Sequence, residues 1–171
     1  MKSSTTFHFE QAQSYFSQGD YTRSNDLCDI LLREGLSTSE VLHLKALNLT
    51  RFDQLENAGR FLRKCLEIDP SNEKAWLDLA YVCCNQGDDR GALTAYHRAI
   101  LINPTYSSAY NGIAVIYARR KDTKSAIKIL RKGLDVDPND IVSATNLARL
   151  LDNEDRSEEA LAIYQEIIKK S

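Results

Sequence analysis

Residues that interrupt helices are scarce in this chain. Three prolines and seven glycines in 171 residues fall well below the roughly 5% and 7% of average proteins. That excludes collagen-like, Gly-Ser and Pro-rich low-complexity chains, and it argues against a loop-rich all-β fold. Four cysteines, Cys28, Cys65, Cys83 and Cys84, are too few for a disulfide scaffold and have neither CxxC spacing nor histidines at ligand spacing. A zinc site or redox motif is therefore not expected; free thiols in a reducing compartment are. No run approaches roughly 18 apolar residues, and no apolar segment of the signal-peptide kind follows Met1, so a membrane span and a secretory leader are not expected and the cytoplasm is the expected location.

Charge of one sign is also missing. Twenty-two basic residues face 24 acidic ones, a net charge of −2, which disfavours nucleic acid and membrane surfaces as partners. The signatures GxxxxGK[ST], GxGxxG and HExxH do not occur. His8, His43 and His97 are far apart, and none stands at ligand spacing from a cysteine or carboxylate. The adjacent acids Asp88-Asp89 and Glu158-Glu159 fall at expected helix starts, where the helix dipole accounts for them. No catalytic residue, metal or cofactor is assigned, and the chain is expected not to be an enzyme.

What the sequence does have is a period. Pro70, Pro104 and Pro138 are 34 residues apart, each after an aliphatic residue and an Asp or Asn. Ala12, Ala46, Ala80, Ala114 and Ala148 keep that step, as do Ser24, Ala58, Ala92, Ala126 and Ala160. Within one period Trp76, Leu79, Ala80 and Cys83 follow the i, i+3, i+4, i+7 spacing of a helix face, and Ala92, Tyr96 and Ala99 mark a second helix. Gln86-Gly87-Asp88-Asp89 reads as the turn between them. Asp20, Asp88 and Asp122 stand as candidate caps of second helices, with Asp53 and Asp155 one residue earlier. After the prolines, Ser71-Asn72 and Asn139-Asp140 are candidate caps of the next first helices, and Ser37-x-x-Glu40 fits a capping box.

With 43% hydrophobic and 27% charged residues the chain has a globular composition. The repeat, exemplified by Trp76-x2-Leu79-Ala80-x2-Cys83…Ala92-x3-Tyr96…Pro104 and by Tyr110-x2-Ile113-Ala114-x2-Tyr117…Ala126-x3-Leu130…Pro138, resembles the tetratricopeptide repeat, a roughly 34-residue helix–turn–helix unit. Five tandem copies are expected at 5–38, 39–72, 73–106, 107–140 and 141–171, after a flexible N-terminus at 1–4. Ala stands at the family's Gly position in all five, and Leu36 replaces Pro in the first. The resemblance implies an all-α, right-handed superhelical solenoid of antiparallel helix pairs, forming one domain. Trp76 and the cysteines 28, 65 and 83 are expected in its core, and Cys84 off it.

The resemblance also implies that first helices line a concave groove that takes an extended or helical peptide. Slots are counted from the first residue of each copy. The slots off the core stripe hold Phe9, His43, Leu77, Asn111 and Thr145 (slot 5), Gln13, Leu47, Tyr81, Val115 and Arg149 (slot 9), and Phe16 among others (slot 12). The candidate partner-binding residues are Phe9, Gln13, Phe16, His43, Leu47, Leu77, Tyr81, Asn111, Val115 and Arg149. Two family sites do not carry over. A carboxylate clamp needs Lys and Asn where Leu77 and Tyr81 stand, and an asparagine ladder at slot 6 finds only Asn146.

The fourth copy is basic, and Lys124, Lys128, Arg131 and Lys132 share one helix face; the first copy is acidic. In the last helix, expected from Ser157 to Lys170, Leu161 and Ile168 face away from the preceding copy. This suggests a longer array, a partner, or a homo-oligomer formed through that helix. The expected function is a protein-interaction adaptor or scaffold. The alternatives are a dedicated chaperone for a client protein and the repeat arm of a larger, possibly catalytic protein.

Overall fold

A computed structural model describes residues 4–170. The described residues form ten α-helices and no strand. They are α1 (Ser4–Ser17), α2 (Tyr21–Arg33), α3 (Ser39–Arg51), α4 (Leu55–Ile68), α5 (Glu73–Asn85), α6 (Asp89–Ile102), α7 (Ser107–Arg119), α8 (Thr123–Val136), α9 (Ile141–Asp152) and α10 (Ser157–Lys170). Of the N-terminal segment expected to be flexible, residues 1–3 lie outside the described residues and Ser4 opens α1. Two compact units divide at Asp88/Asp89, between the two helices of the third copy. In the first unit α1 packs on α2, α2 on α3, α3 on α4 and α4 on α5. In the second, α6 through α10 pack successively in the same way, and α7 also touches α9.

The turn inside each copy repeats one backbone device. Gly19, Asp53, Gly87, Lys121 and Asp155, all in slot 15, have left-handed φ values of 81°, 58°, 76°, 61° and 58°. After α5 the amides of Gly87 and Asp88 return to the carbonyls of Cys84 and Cys83, the paired bonds of a Schellman motif that close the helix end. Asp53 and Asp155 are therefore the left-handed residues of their turns and not caps. Gln54, the N-cap of α4, makes no side-chain cap bond. Asp20 and Asp122 do cap, accepting from the amides of Arg23 and Ser125 at 3.1 Å. At α3 the cap is Thr38, whose Oγ1 accepts from the Val41 amide, and not Ser37. Leu36 leaves the first copy without proline, and Gly35 at φ 83° closes α2 by the same paired bonds.

Between copies the Asp/Asn-Pro step is a turn in its own right. The Oδ1 atoms of Asp69, Asn103 and Asp137 accept from the amide two residues on, at 3.1, 3.1 and 3.0 Å. Trp76 Nε1 then donates to the Pro70 carbonyl at 2.9 Å, and the Tyr110 hydroxyl to the Pro104 carbonyl at 3.3 Å. Trp76 is half-buried rather than a core residue, its polar edge tied to the turn. Both small-residue series are buried throughout. They set how closely helices approach, while Leu31, Leu62, Ile113, Leu130 and Leu151 fill the space between. Each such side chain contributes about 1.5–3 kcal/mol by leaving water.

Candidate functional site

In the second unit, α7 and α9 line an open cavity of about 220 Å³, with Leu130 of α8 and the core residue Ala114 also in its lining. Asn111, Val115 and Arg149, three of the residues singled out by slot, all line it. Its apolar surface comes from Ala114, Ala118, Leu130 and Leu150, and Val115 is 47% exposed beside them. Its polar groups form a line. Arg149 Nη2 donates to Asn146 Oδ1 at 3.2 Å, and Asn146 Nδ2 donates to Asn111 Oδ1 at 2.8 Å. Arg119 belongs to the lining as well. It pairs with Asp89 Oδ1, while Arg120 Nε holds Asp89 Oδ2 at 2.9 Å. Asp89 is thus more than a dipole complement at the start of α6.

In the first unit the candidate residues serve different ends. His43 is largely buried, and its Nε2 lies 2.6 Å from Asp78 Oδ2. Local spacing gave His43 no carboxylate partner; the partner comes from the next copy, 35 residues on. Asn111 and Asn146 are related by that same step, slot 5 meeting slot 6 of the following copy. Phe9 and Leu44 stand at the same step in the sequence. Phe9 and Phe16 pack on the cluster of Ala12, Cys28 and Leu44, and Phe16 also meets the Tyr21 ring edge-on at 5.2 Å. Leu47 and Leu77 are half-buried, while Gln13 and Tyr81 are exposed. Slot reading missed Asp78, Asn146 and Arg119; a search for polar pairs at a step of 35 finds the first two.

Two models of the tetratricopeptide repeat match residues 49–116 and 107–140, together more than half of the chain. The chain belongs to the tetratricopeptide repeat family. A tetratricopeptide repeat-containing protein, trd-1 of Caenorhabditis elegans, is 26% identical over 81 residues, 47% of this chain and 10% of that protein. The cytochrome c-type biogenesis protein CycH of Rhizobium meliloti is 34% identical over 109 residues, 62% of this chain and 29% of that protein. The chain thus spans a minor part of these relatives' length. Among solved structures, MamA superposes with a TM-score of 0.84 at 19% identity, over 97% of this chain and 91% of that one. PilF of Pseudomonas aeruginosa gives 0.86 at 16%, over 98% and 76%. YrrB, a tetratricopeptide protein with an unusual peptide-binding site, gives 0.75 at 19%, over 82% and 72%. These likenesses show an all-α solenoid fold, and the repeat is a protein-interaction module.

The repeat's own chemistry is quiet. Burial pushes the Cys28 thiol up to about 12 against the opposing pull of Lys45, and burial also raises Cys65 and Cys83. Such thiols are poor nucleophiles at neutral pH. Lys45, itself buried, reaches Asp29 at 2.6 Å. Among the described residues no group of His, Cys, Asp and Glu can hold a metal ion, and no helix is long and apolar enough to cross a membrane. On α8 the basic face is interrupted, because Arg131 turns to Glu159 of α10 at 2.7 Å. Glu159 also takes Arg156, and these two arginines hold its carboxyl below the ordinary value. On α10, Leu161 and Ile168 are 57% and 74% exposed.

Proposed function

We propose that this tetratricopeptide module is a non-catalytic adaptor that holds an extended or amphipathic segment of a partner protein, with the cavity between α7 and α9 as its principal contact. The observation that carries the reading is convergence. Asn111, Val115 and Arg149 come from two helices and two copies, yet line one cavity. An apolar floor with a few polar groups at its edge suits a side chain entering from a bound segment, and amides suit its backbone. The likeness to YrrB supports the same reading. A reducing, cytoplasmic setting is part of the proposal, since the four cysteines are free thiols. The test is recovery of a partner by crosslinking in the native cell, followed by affinity measurement with purified proteins. Val115→Asp, which sets a charge against the apolar floor, should weaken binding at least tenfold while the helical circular dichroism stays as in wild type. Unchanged affinity refutes the site.

A second reading concerns α10. Leu161 and Ile168 are exposed beside Tyr164, which is 36% exposed. Burying them between two copies would gain about 25 cal/mol per Å² of apolar surface, and we propose that a second copy covers them in a two-fold contact. Light scattering across a concentration series tests this. Leu161→Glu with Ile168→Lys should abolish a dimer seen in wild type, and a wild type that stays monomeric throughout refutes the contact.

A further inference from the structure

We infer that the cavity between α7 and α9 selects a segment in which an apolar side chain stands next to an aspartate or glutamate, the apolar group entering the cavity and the carboxylate reaching Arg119 and Arg149. The inference deepens the groove reading and rests on it.

The lining has an apolar floor and two arginines, and among the described residues no Asp or Glu lines it. Among the described residues the Arg149 side chain bonds to an amide oxygen, that of Asn146, and pairs with no carboxylate. A cation left beside an apolar surface favours a ligand that brings the compensating charge. Arg119 indicates what that charge is, because it already holds a side-chain carboxylate, that of Asp89. Asp89 is shared: its second oxygen stays with Arg120 at 2.9 Å. A ligand carboxylate can therefore take Arg119 without leaving Asp89 unpaired, so the exchange costs little. The two copies that build the cavity together carry eleven basic residues against ten acidic ones, so the attraction for a carboxylate comes from the two arginines in the lining rather than from a wider basic field. The amide line of Asn111 and Asn146 lies along the same cavity. It offers hydrogen bonds to a backbone running through the site, which favours an internal acidic residue over a chain end.

The test pans a random dodecapeptide library on phage against the full chain. Enriched peptides should place a large apolar residue beside Asp or Glu. Synthetic copies are then measured by fluorescence anisotropy. Changing the acidic residue to its amide should weaken binding about tenfold, as should Arg149→Gln, and the two changes together should cost little more than either alone. Asp89→Asn should tighten binding severalfold by releasing Arg119. If enriched peptides lack an acid, or the amide exchange leaves affinity unchanged, the selectivity is refuted. The groove reading survives that result provided Val115→Asp still removes binding. If no peptide is enriched, or the enriched ones ignore Val115→Asp, both readings fall. If amidating the peptide C-terminus alone removes binding, the carboxylate is a chain end and the side-chain assignment is overturned.

Discussion

Replacing Gly87 by alanine isolates the backbone cost of the turn inside each copy. Gly87 sits at φ +76°, and a Cβ built there meets no atom within 4 Å. Steric clash is therefore absent, and only the left-handed conformation remains to oppose the side chain. That conformation costs an L-residue about 1–2 kcal/mol. The stiffer unfolded chain returns about 0.4–1 kcal/mol, leaving a net loss near 1 kcal/mol. For a chain of this size that lowers the melting temperature by about 2–4 °C. The same slot supplies the reverse experiment. Lys121, at φ +61°, pays the penalty in the native protein, so Lys121→Gly should gain about 1 kcal/mol by the same arithmetic. Asp53→Gly should gain less, because Asp tolerates the left-handed region better. Urea unfolding followed by circular dichroism reads all three. If Gly87→Ala is neutral or stabilising while Lys121→Gly destabilises, the left-handed slot is wrong and the turn must be built otherwise.

Gly112→Ala would drive a Cβ into the ring of Tyr96, between α7 and α6. Displacing that ring should cost about 1–3 kcal/mol, and an unchanged urea midpoint would contradict the close approach. Thiol reagent at pH 8 should reach Cys84 first, because Cys28, Cys65 and Cys83 are buried with raised pKa values. Labelling of the other three should need denaturant; rapid native labelling of more than one counts against this packing. Burial pulls the Asp140 carboxyl up, yet the hydroxyl and amide of Ser143 hold it below its ordinary 3.8. Its cap therefore stabilises fully above that value and is lost as the pH falls through the lower folded pKa. Asp140→Ala should cost about 1 kcal/mol at pH 7, a gap that closes in acid; a gap independent of pH refutes the charged cap.

Helix number, pairing order and turn positions were legible in the sequence because they depend on interactions between residues close along the chain. The step of 34 marks the small residues, and all ten of those in the two series are buried. It also marks the Asp/Asn-Pro turns, and α10 runs over the span expected from its apolar stripe. Where local chemistry offers two equivalent acceptors, as with Ser37 and Thr38, the sequence could name the wrong cap, since backbone position alone chooses between them. The surface off the core stripe was legible as a set of slots but not as a site. Whether a slot-5 residue faces a partner, a neighbour or the core depends on what the surrounding helices present: Phe9 packs on the cluster that holds Leu44, Asp78 occupies His43, and Asn146 lines up with Asn111. Those pairings, like the burial of Lys45 on Asp29 and the sharing of Asp89 by Arg119 and Arg120, arise from the packing of one helix on another. The sequence by itself determined the repeat; tertiary packing decided which of its exposed slots remain open, because that depends on distances between helices and not along them.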